Sequence, residues 1–559
     1  MFEYIFIMFF LLATITVLGY LLGVFIGKSF NNTSSNSKIE HIFNWLEQPI
    51  YKFLGVNPSI EMGGIKYFLT LFISNIVLSA FCFGILYFQS NLPYNGGIHY
   101  KLQIPLIWHI ISSLITNTCQ THHIPESQLT PLSNFLIMPI LMFYSSASGI
   151  ATGIATMRGI TLGTLGNAYA DLIRALIRIL IPLSLIGSVF FTALGTPNTF
   201  TNLVHLTSLE DLKENLILGP VAAFEAIKLI GENGLSCFNV NSAHPFENPN
   251  YTSNFLQLIC ILTIPIALIF TLGIWLKNIK QSIIIISALL IVLTTECTLV
   301  SYFELQGNSM INSLIHTNEP NWVGKETRLG IIGSSIFQTT ISNVSGSSNS
   351  ALDSYHPIIN LFGLFNLSNQ SVFGVQGFGL VFTIAFILYT TFYIGLMLGK
   401  TPELFNKRIE KNEMIICSIL FLTNPVLVFL GIILTLTFFP ESYNTPYEKV
   451  HYYTKVFYEL VSGASSNGSG LESLDDNNNY WNILSGLVMF IARYIAMGGM
   501  IALGSSFSRK VTIPATTSDF RTDSILFGGI FLITSVISTA LIYLPFLVMG
   551  PITEILIPK

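Results

Sequence analysis

Runs of apolar residues long enough to cross a bilayer recur ten times along the chain, separated by polar segments. They lie at about 4–27, 63–88, 131–157, 171–195, 251–276, 281–303, 370–397, 412–438, 480–507 and 525–552. A membrane helix needs roughly 20 mostly apolar residues. No run has the short alternating pattern of a barrel strand. The pattern therefore predicts an all-α polytopic membrane protein, since hydrocarbon tolerates little backbone that is not helical.

Composition narrows the class. Of 559 residues, 51% are hydrophobic and 10% are Asp, Glu, Lys or Arg, against roughly 25% charged in a soluble globular protein. A disordered chain, a basic nucleic-acid binder and an ordinary soluble enzyme are excluded. Residues 1–27 lack a basic n-region and are too long for a signal h-region, so they read as a retained first span. The six cysteines show no C-x-x-C spacing and read as small buried hydrophobes.

Charge orients the spans. The long gaps 89–130, 196–250, 304–369 and 439–480 hold seven Lys and Arg residues, whereas the short gaps hold fifteen. The positive-inside rule then puts the short gaps in the cytoplasm, with both termini and the long loops outside.

Each long gap contains a semi-apolar segment too short to cross, followed by a small polar tract. The segments are IPLIWHIISSLITNTCQ (104–120), GPVAAFEAIKLIGENGLSCFN (219–239), RLGIIGSSIFQTTISNVSGSSNS (328–350) and YYTKVFYELVSGASSNGSG (452–470). Asn117, Gly234, Gly346 and Gly468 mark the tracts at intervals of 117, 112 and 122 residues. This pattern predicts four fused membrane–pore–membrane repeats around a central pore, at 63–157, 171–276, 281–397 and 412–507. Extra single helices remain at 1–30 and 525–552. A re-entrant loop survives at membrane depth only where its backbone lines a cavity or is buried in protein. Four such loops on one axis place carbonyl oxygens in rings that replace the hydration shell of K⁺.

Further stretches carry a resemblance. HPFENP (244–249), SASGIA (146–151), TLGNAYADLIR (164–174), ELQGN (304–308), GKETRLG (324–330), GKTPE (399–403) and NGS (467–469) resemble segments of the KdpA family, over essentially the whole chain. That family comprises the potassium-translocating subunit of the bacterial Kdp ATPase. The resemblance implies an inner-membrane protein that takes K⁺ from outside and passes it laterally to a P-type ATPase subunit. It implies three partners: a KdpB-like ATPase, a KdpC-like single-span subunit and a KdpF-like small peptide. ATP and Mg²⁺ belong to the ATPase partner alone, and this chain has neither D-K-T-G nor a Walker A loop.

Carried over residue by residue, the resemblance implies a K⁺ filter of Asn117, Thr118, Cys119, Asn233, Gly234, Leu235, Asn239, Ser345, Gly346, Asn467 and Gly468. Gating or coupling falls to Gln120, Thr121, Gln370, Lys400 and Arg493. Departures touch all four loops. The family reads T-N-T-N-W-Q where this chain has Cys119 in place of the second Asn, and Thr121 or Gln120 for the Gln. It reads N-G-G-G-F-F-N where this chain has Leu235 and Ser236 for two glycines. A β-carbon at a left-handed position costs about 1 kcal/mol or more, so Leu235 is expected to strain the loop. Gln370 stands for a family Glu, and Lys400 for an Arg. Two other readings stay open: a stand-alone Trk/Ktr-like K⁺ channel or symporter, and a divergent subunit with altered or lost selectivity.

Smaller signals complete the picture. Arg493, inside an apolar run, is expected either to form an internal ion pair or repulsive gate below the filter, or to snorkel to an interface. Glu225 and Lys228 read as a local pair, and His122-His123 as surface-loop residues. Trp45, Trp108, Trp322 and Trp481 read as interface anchors. Gly19–Gly23 is a weak helix-contact pattern.

Overall fold

Among the described residues of the computed structural model, ten helices are long and apolar enough to cross a membrane. They are Tyr4–Ser29, Gly64–Tyr87, Ser133–Thr161, Ala168–Ala193, Tyr251–Trp275, Ile279–Gln306, Phe378–Met397, Lys411–Phe438, Asn479–Ser508 and Ile525–Leu556. The structure describes residues 2–31, 38–94, 96–201, 203–207, 213–307, 319–439, 445–512 and 521–557. Parts of the predicted loops 89–130, 196–250, 304–369 and 439–480, and the first residue, lie outside the described residues.

The seventh span departs from expectation. The apolar run starts at residue 370, yet the helix starts at Phe378. Gln370, Phe373 and Gly377 have φ of 56°, 54° and 77°, and left-handed residues cannot continue a right-handed helix. Residues 370–377 are a buried loop after the helix Ile358–Asn369, apolar because protein rather than lipid surrounds them.

Hydropathy alone missed the helix Lys38–Leu54. It is amphipathic: Trp45 is 73% and Phe53 90% exposed, while buried Glu47 accepts from Arg178 Nη2 at 3.0 Å. A helix built this way lies along a membrane surface rather than across it. Among the described residues, two short antiparallel strand pairs interrupt the helical pattern, pairing Leu203 with Ile217 and Glu403 with Arg408 at their ends. In the second, Lys407 Nζ bonds the carbonyls of Ile160 (2.8 Å) and Phe507 (3.0 Å). It thereby places a cation at two helix C-termini.

The centre of the bundle is formed by Tyr251–Trp275 and Met138–Thr161, buried on most faces. The first helix lies against Tyr251–Trp275 through its small residues. A β-carbon on Gly19 would approach Ile266 Cγ2 to 2.5 Å, and one on Gly23 would approach the Ala267 carbonyl oxygen to 2.7 Å. The Gly19–Gly23 pattern is thus a genuine close contact. All six cysteines are free and buried. Trp45 and Trp322 are exposed, but Trp481 is 3% exposed, so it packs inside the protein rather than anchoring an interface.

Candidate functional site

Four helices that are not spans end close together: Ile104–Ile115, Val221–Ile230, Gly330–Val344 and Pro446–Ala464. Three of them stop in the same way. Asn117, Glu232 and Ser466 take left-handed φ of 57°, 50° and 58°. Their N–H groups bond back to the carbonyls of Leu114 (3.1 Å), Leu229 (3.1 Å) and Gly463 (3.2 Å). The next N–H groups, of Thr118, Asn233 and Asn467, reach the carbonyls of Ser113 (2.8 Å), Lys228 (3.1 Å) and Ser462 (3.0 Å). This is a Schellman end, which turns the chain back sharply and satisfies the last helical carbonyls. The third helix ends differently, passing directly into extended Ser345 at φ −151°.

The shared turn sets the register. Thr118 corresponds to Asn233 and Asn467, so Cys119, not Asn117, stands where the second and fourth loops have Gly234 and Gly468. The sequence marker placed at Asn117 was two residues early.

The four loops touch in sequence and close a ring. Asn117 Nδ2 donates to the Gly231 carbonyl at 3.2 Å, joining the first loop to the second. A β-carbon on Gly234 would lie 2.7 Å from Ser347 N and 3.0 Å from Gly346 N, in the third. One on Gly346 would lie 2.7 Å from the Asn467 oxygen and Ser469 N, in the fourth. Gly468, at φ +97°, abuts the backbone nitrogens of Cys119 and Gln120. Cys119 N–H donates to the Asn467 carbonyl at 3.2 Å, which returns the ring to the first loop. Gly234 and Gly468 are required twice over, by left-handed φ and by backbone approach.

Leu235 does not strain the loop. Gly234 takes the left-handed φ of +87°, and Leu235 is absent from the left-handed positions among the described residues. Its side chain is fully buried in an apolar cluster with Leu114, Val221 and Phe238. The leucine is therefore a packing residue behind the ring. Asn239 lies outside the ring, exposed, its N–H donating to Glu126 Oε1 at 2.8 Å.

On one side the ring opens into a cavity of about 600 Å³, lined by Cys119, Gln120, Thr121, Gly346 and Gly468 and by the charged Lys325, Glu459, Glu472 and Asp476. Lys325 pairs with Glu304 at 2.8 Å, and burial presses its amine down against the pull of that carboxylate. Burial raises the Glu472 carboxyl, while the backbone N–H groups of Leu352 (2.9 Å) and Asp353 (3.1 Å) donate to it. Gln120 Nε2 donates to the Glu459 carbonyl at 3.0 Å, and Thr121 Oγ1 to that of Cys119 at 2.8 Å.

His122 and His123 are not surface residues: they are 3% and 2% exposed. Tertiary contacts bury them beside the fourth loop helix. His122 Nε2 lies 3.0 Å from Glu459 Oε1 and 3.7 Å from Asp476 Oδ2. Burial lowers the His122 imidazole, but Asp476, Glu459 and Asn482 together hold it above its ordinary value. Burial pushes Asp476 up to about 6 against the pull of His122. His123 has no such partners, and burial lowers it to about 3. No local spacing signals this cluster, because His122 lies more than 300 residues from Glu459 and Asp476 in sequence.

On the other side of the ring lie the buried loop 370–377 and Arg493. Gln376 Nε2 donates to the Ile230 carbonyl, under the second loop. A β-carbon on Gly149 would meet the Gln376 oxygen at 2.5 Å and Arg493 Nη2 at 3.0 Å, so these groups share one neighbourhood. Arg493 is 1% exposed, which excludes snorkelling. Its expected ion pair is also absent among the described residues. The guanidinium sits 3.6 Å over the Phe378 ring and makes one long bond, 3.4 Å, to the Ser145 carbonyl. Gln370 begins the buried loop, whereas Lys400 lies exposed beyond the end of Phe378–Met397, away from the ring.

Lys228 is more than half of a local pair. Glu225 and Glu247 both stand 2.8 Å from its Nζ, with Asn241 at 2.8 Å and Ser242 at 2.9 Å. Ser236 and Cys237 of the second loop also bond Glu247, so HPFENP anchors the ring from behind.

The fold has a solved example. The crystal structure of the potassium transporter TrkH from Vibrio parahaemolyticus has the same fold, at a TM-score of 0.52 and 13% identity, over 89% of this chain and 99% of that one. Relatives are similar along the whole sequence. Potassium-transporting ATPase potassium-binding subunits from a Nostoc species and from Caldanaerobacter subterraneus are 36% and 34% identical, covering 97% and 98% of this chain and 96% and 98% of theirs. The family model described as KdpA, potassium-transporting ATPase A subunit, matches residues 8–556, and the chain belongs to that family.

Proposed function

We propose that this chain is the K⁺-binding and selecting subunit of an ATP-driven import complex in the bacterial inner membrane. The observation that carries the reading is the closed ring of four loops, whose backbones approach one another in sequence from the first to the fourth and back. The carbonyls of Asn233, Ser345, Gly346 and Gly468 accept no hydrogen bond among the described residues, leaving them to coordinate a dehydrated monovalent cation. Cys119 takes part by donating its backbone N–H to Asn467, while its carbonyl accepts from Thr121 Oγ1, so the loss of the family Asn removes a side chain without opening the ring. The charged cavity is the outer vestibule, and the termini and pore loops face outside. The four membrane–pore–membrane repeats, with a helix added at each end, are the frame.

Below the ring, residues 370–377 and Arg493 close the path to the cytoplasm. An unpaired buried cation repels K⁺ and blocks straight passage, which directs the ion sideways to a KdpB-like ATPase subunit. KdpC-like and KdpF-like subunits complete the complex. ATP and Mg²⁺ act on the ATPase, and this chain contributes no hydrolytic group.

Uptake of K⁺ and Rb⁺ in a K⁺-transport-deficient bacterium, with the chain expressed beside its own ATPase partners, tests the reading. Wild type is expected to support ATP-dependent uptake at low external K⁺. Gly468→Ala, whose methyl meets the first loop's backbone, is expected to lose at least 90% of it. Gly529→Ala, with nothing within 4 Å of the added carbon, is expected to retain it. ATP-independent uptake by the chain alone would instead favour a Trk-like channel or symporter. Uptake that no longer discriminates K⁺ from Na⁺ would mean altered selectivity.

A further inference from the structure

The cluster around His122 has no part in forming the ring, yet it is built as a ligand set. Asn482 Oδ1 lies 2.8 Å from His122 Nδ1, and a side-chain amide oxygen only accepts, so Nδ1 carries the donated proton. The other nitrogen, Nε2, then faces Glu459 Oε1 at 3.0 Å. Two acceptors at that distance repel unless a proton or a metal cation lies between them. An outer partner that fixes the tautomer and turns the second nitrogen toward carboxylates is the usual setting of a metal-bound histidine.

The spacing suits a small divalent ion. One ligand atom from each of His122, Glu459 and Asp476 lies within 4.8 Å of the other two. The His–Glu and His–Asp separations of 3.0 and 3.7 Å bracket the edge of a tetrahedron, about 3.3–3.6 Å for zinc bonds of about 2.0–2.2 Å. His109 stacks on His122 at 3.6 Å and 12°, which locks the imidazole plane. Asp476 is 28% exposed and lines the 600 Å³ cavity, so the fourth position opens to water and the ion has a way in.

We propose that His122, Glu459 and Asp476 form a binding site for a divalent transition cation of the zinc class, beside the first loop at the outer mouth. An ion there links the first loop to the fourth loop helix, where Gln120 already bonds the Glu459 backbone. It displaces the proton held between Nε2 and Glu459, adds a net positive charge next to the vestibule and thereby slows K⁺ entry. The binding stands on the cluster alone, whereas the slowing rests on the K⁺ path proposed above.

Direct metal binding separates the two. The untagged full-length chain in its complex, titrated with Zn²⁺ against a chromogenic chelator, is expected to hold one tight equivalent. His122→Gln and Asp476→Asn are each expected to weaken it at least tenfold. Co²⁺ is expected to give the visible bands of a four-coordinate site in wild type and to lose them in both variants. The half-exposed position of Asp476 keeps the test valid if His122→Gln fails to fold. Equal binding by wild type and Asp476→Asn, or none by wild type, overturns the site. Zn²⁺ is expected to inhibit Rb⁺ uptake in wild type, relative to its own metal-free rate, and much less in Asp476→Asn. Binding without inhibition overturns the slowing. No metal-free uptake by wild type counts against the transport reading and leaves the site standing.

Discussion

Lys228 and Arg493 are both fully buried cations near the same ring of loops, and they are treated in opposite ways. Lys228 is ringed by two carboxylates, an amide and a hydroxyl, all within 2.9 Å of its Nζ. Arg493 has an aromatic face and one carbonyl at 3.4 Å, and its Nε and Nη1 have no hydrogen-bond partner. Taking a charge out of water costs several kcal/mol unless partners replace the solvent. A cation that meets that cost with partners is scaffold. In the function proposed above, one left largely uncompensated acts through its field on the passing ion.

Substitutions can break this comparison. The largest effect is expected for Lys228→Met, which leaves Glu225 and Glu247 buried without their cation: a loss of about 3–5 kcal/mol, read as a lower unfolding temperature in detergent. Glu247→Gln keeps the shape but removes the charge that Lys228, Ser236 and Cys237 bond, and is expected to cost about 1.5–3 kcal/mol. Phe378→Leu removes the ring under the guanidinium and is expected to cost about 1–2 kcal/mol. Arg493→Met is expected to change stability by less than about 1 kcal/mol, because little pairing is lost. Its uptake should nevertheless change more than that of the other variants that fold, as ATP turnover uncoupled from Rb⁺ accumulation. If Arg493→Met unfolds as readily as Lys228→Met, the guanidinium is scaffold and the gate reading fails.

Much of this was legible in residue order. The spans were visible because a bilayer helix imposes its length and apolarity within one continuous segment, and nine of the ten runs begin within three residues of a helix. The seventh misled, since an apolar loop buried in protein has the same composition as one crossing lipid. The glycines of the second and fourth loops were legible because left-handed backbone demands them. The expected strain at Leu235 was misplaced by one residue, because position in a turn depends on where the helix stops. Loop three ends without the turn that the other three share, and no sequence spacing distinguishes it.

The sequence by itself determined that the chain carries ten runs long and apolar enough to cross a membrane, with four short polar-tipped segments between them, and that it belongs with potassium-handling proteins. Those properties are local: hydropathy, turn chemistry and short motifs are all written within a few tens of residues. Only the tertiary structure decided that Cys119 meets Gly468, that Arg493 has no acidic partner among the described residues, and that His122 faces Glu459 and Asp476. Each of these depends on segments hundreds of residues apart being brought within bonding distance. Coulombic and coordinating interactions act over a few ångströms of space, and separation along the chain does not reveal them.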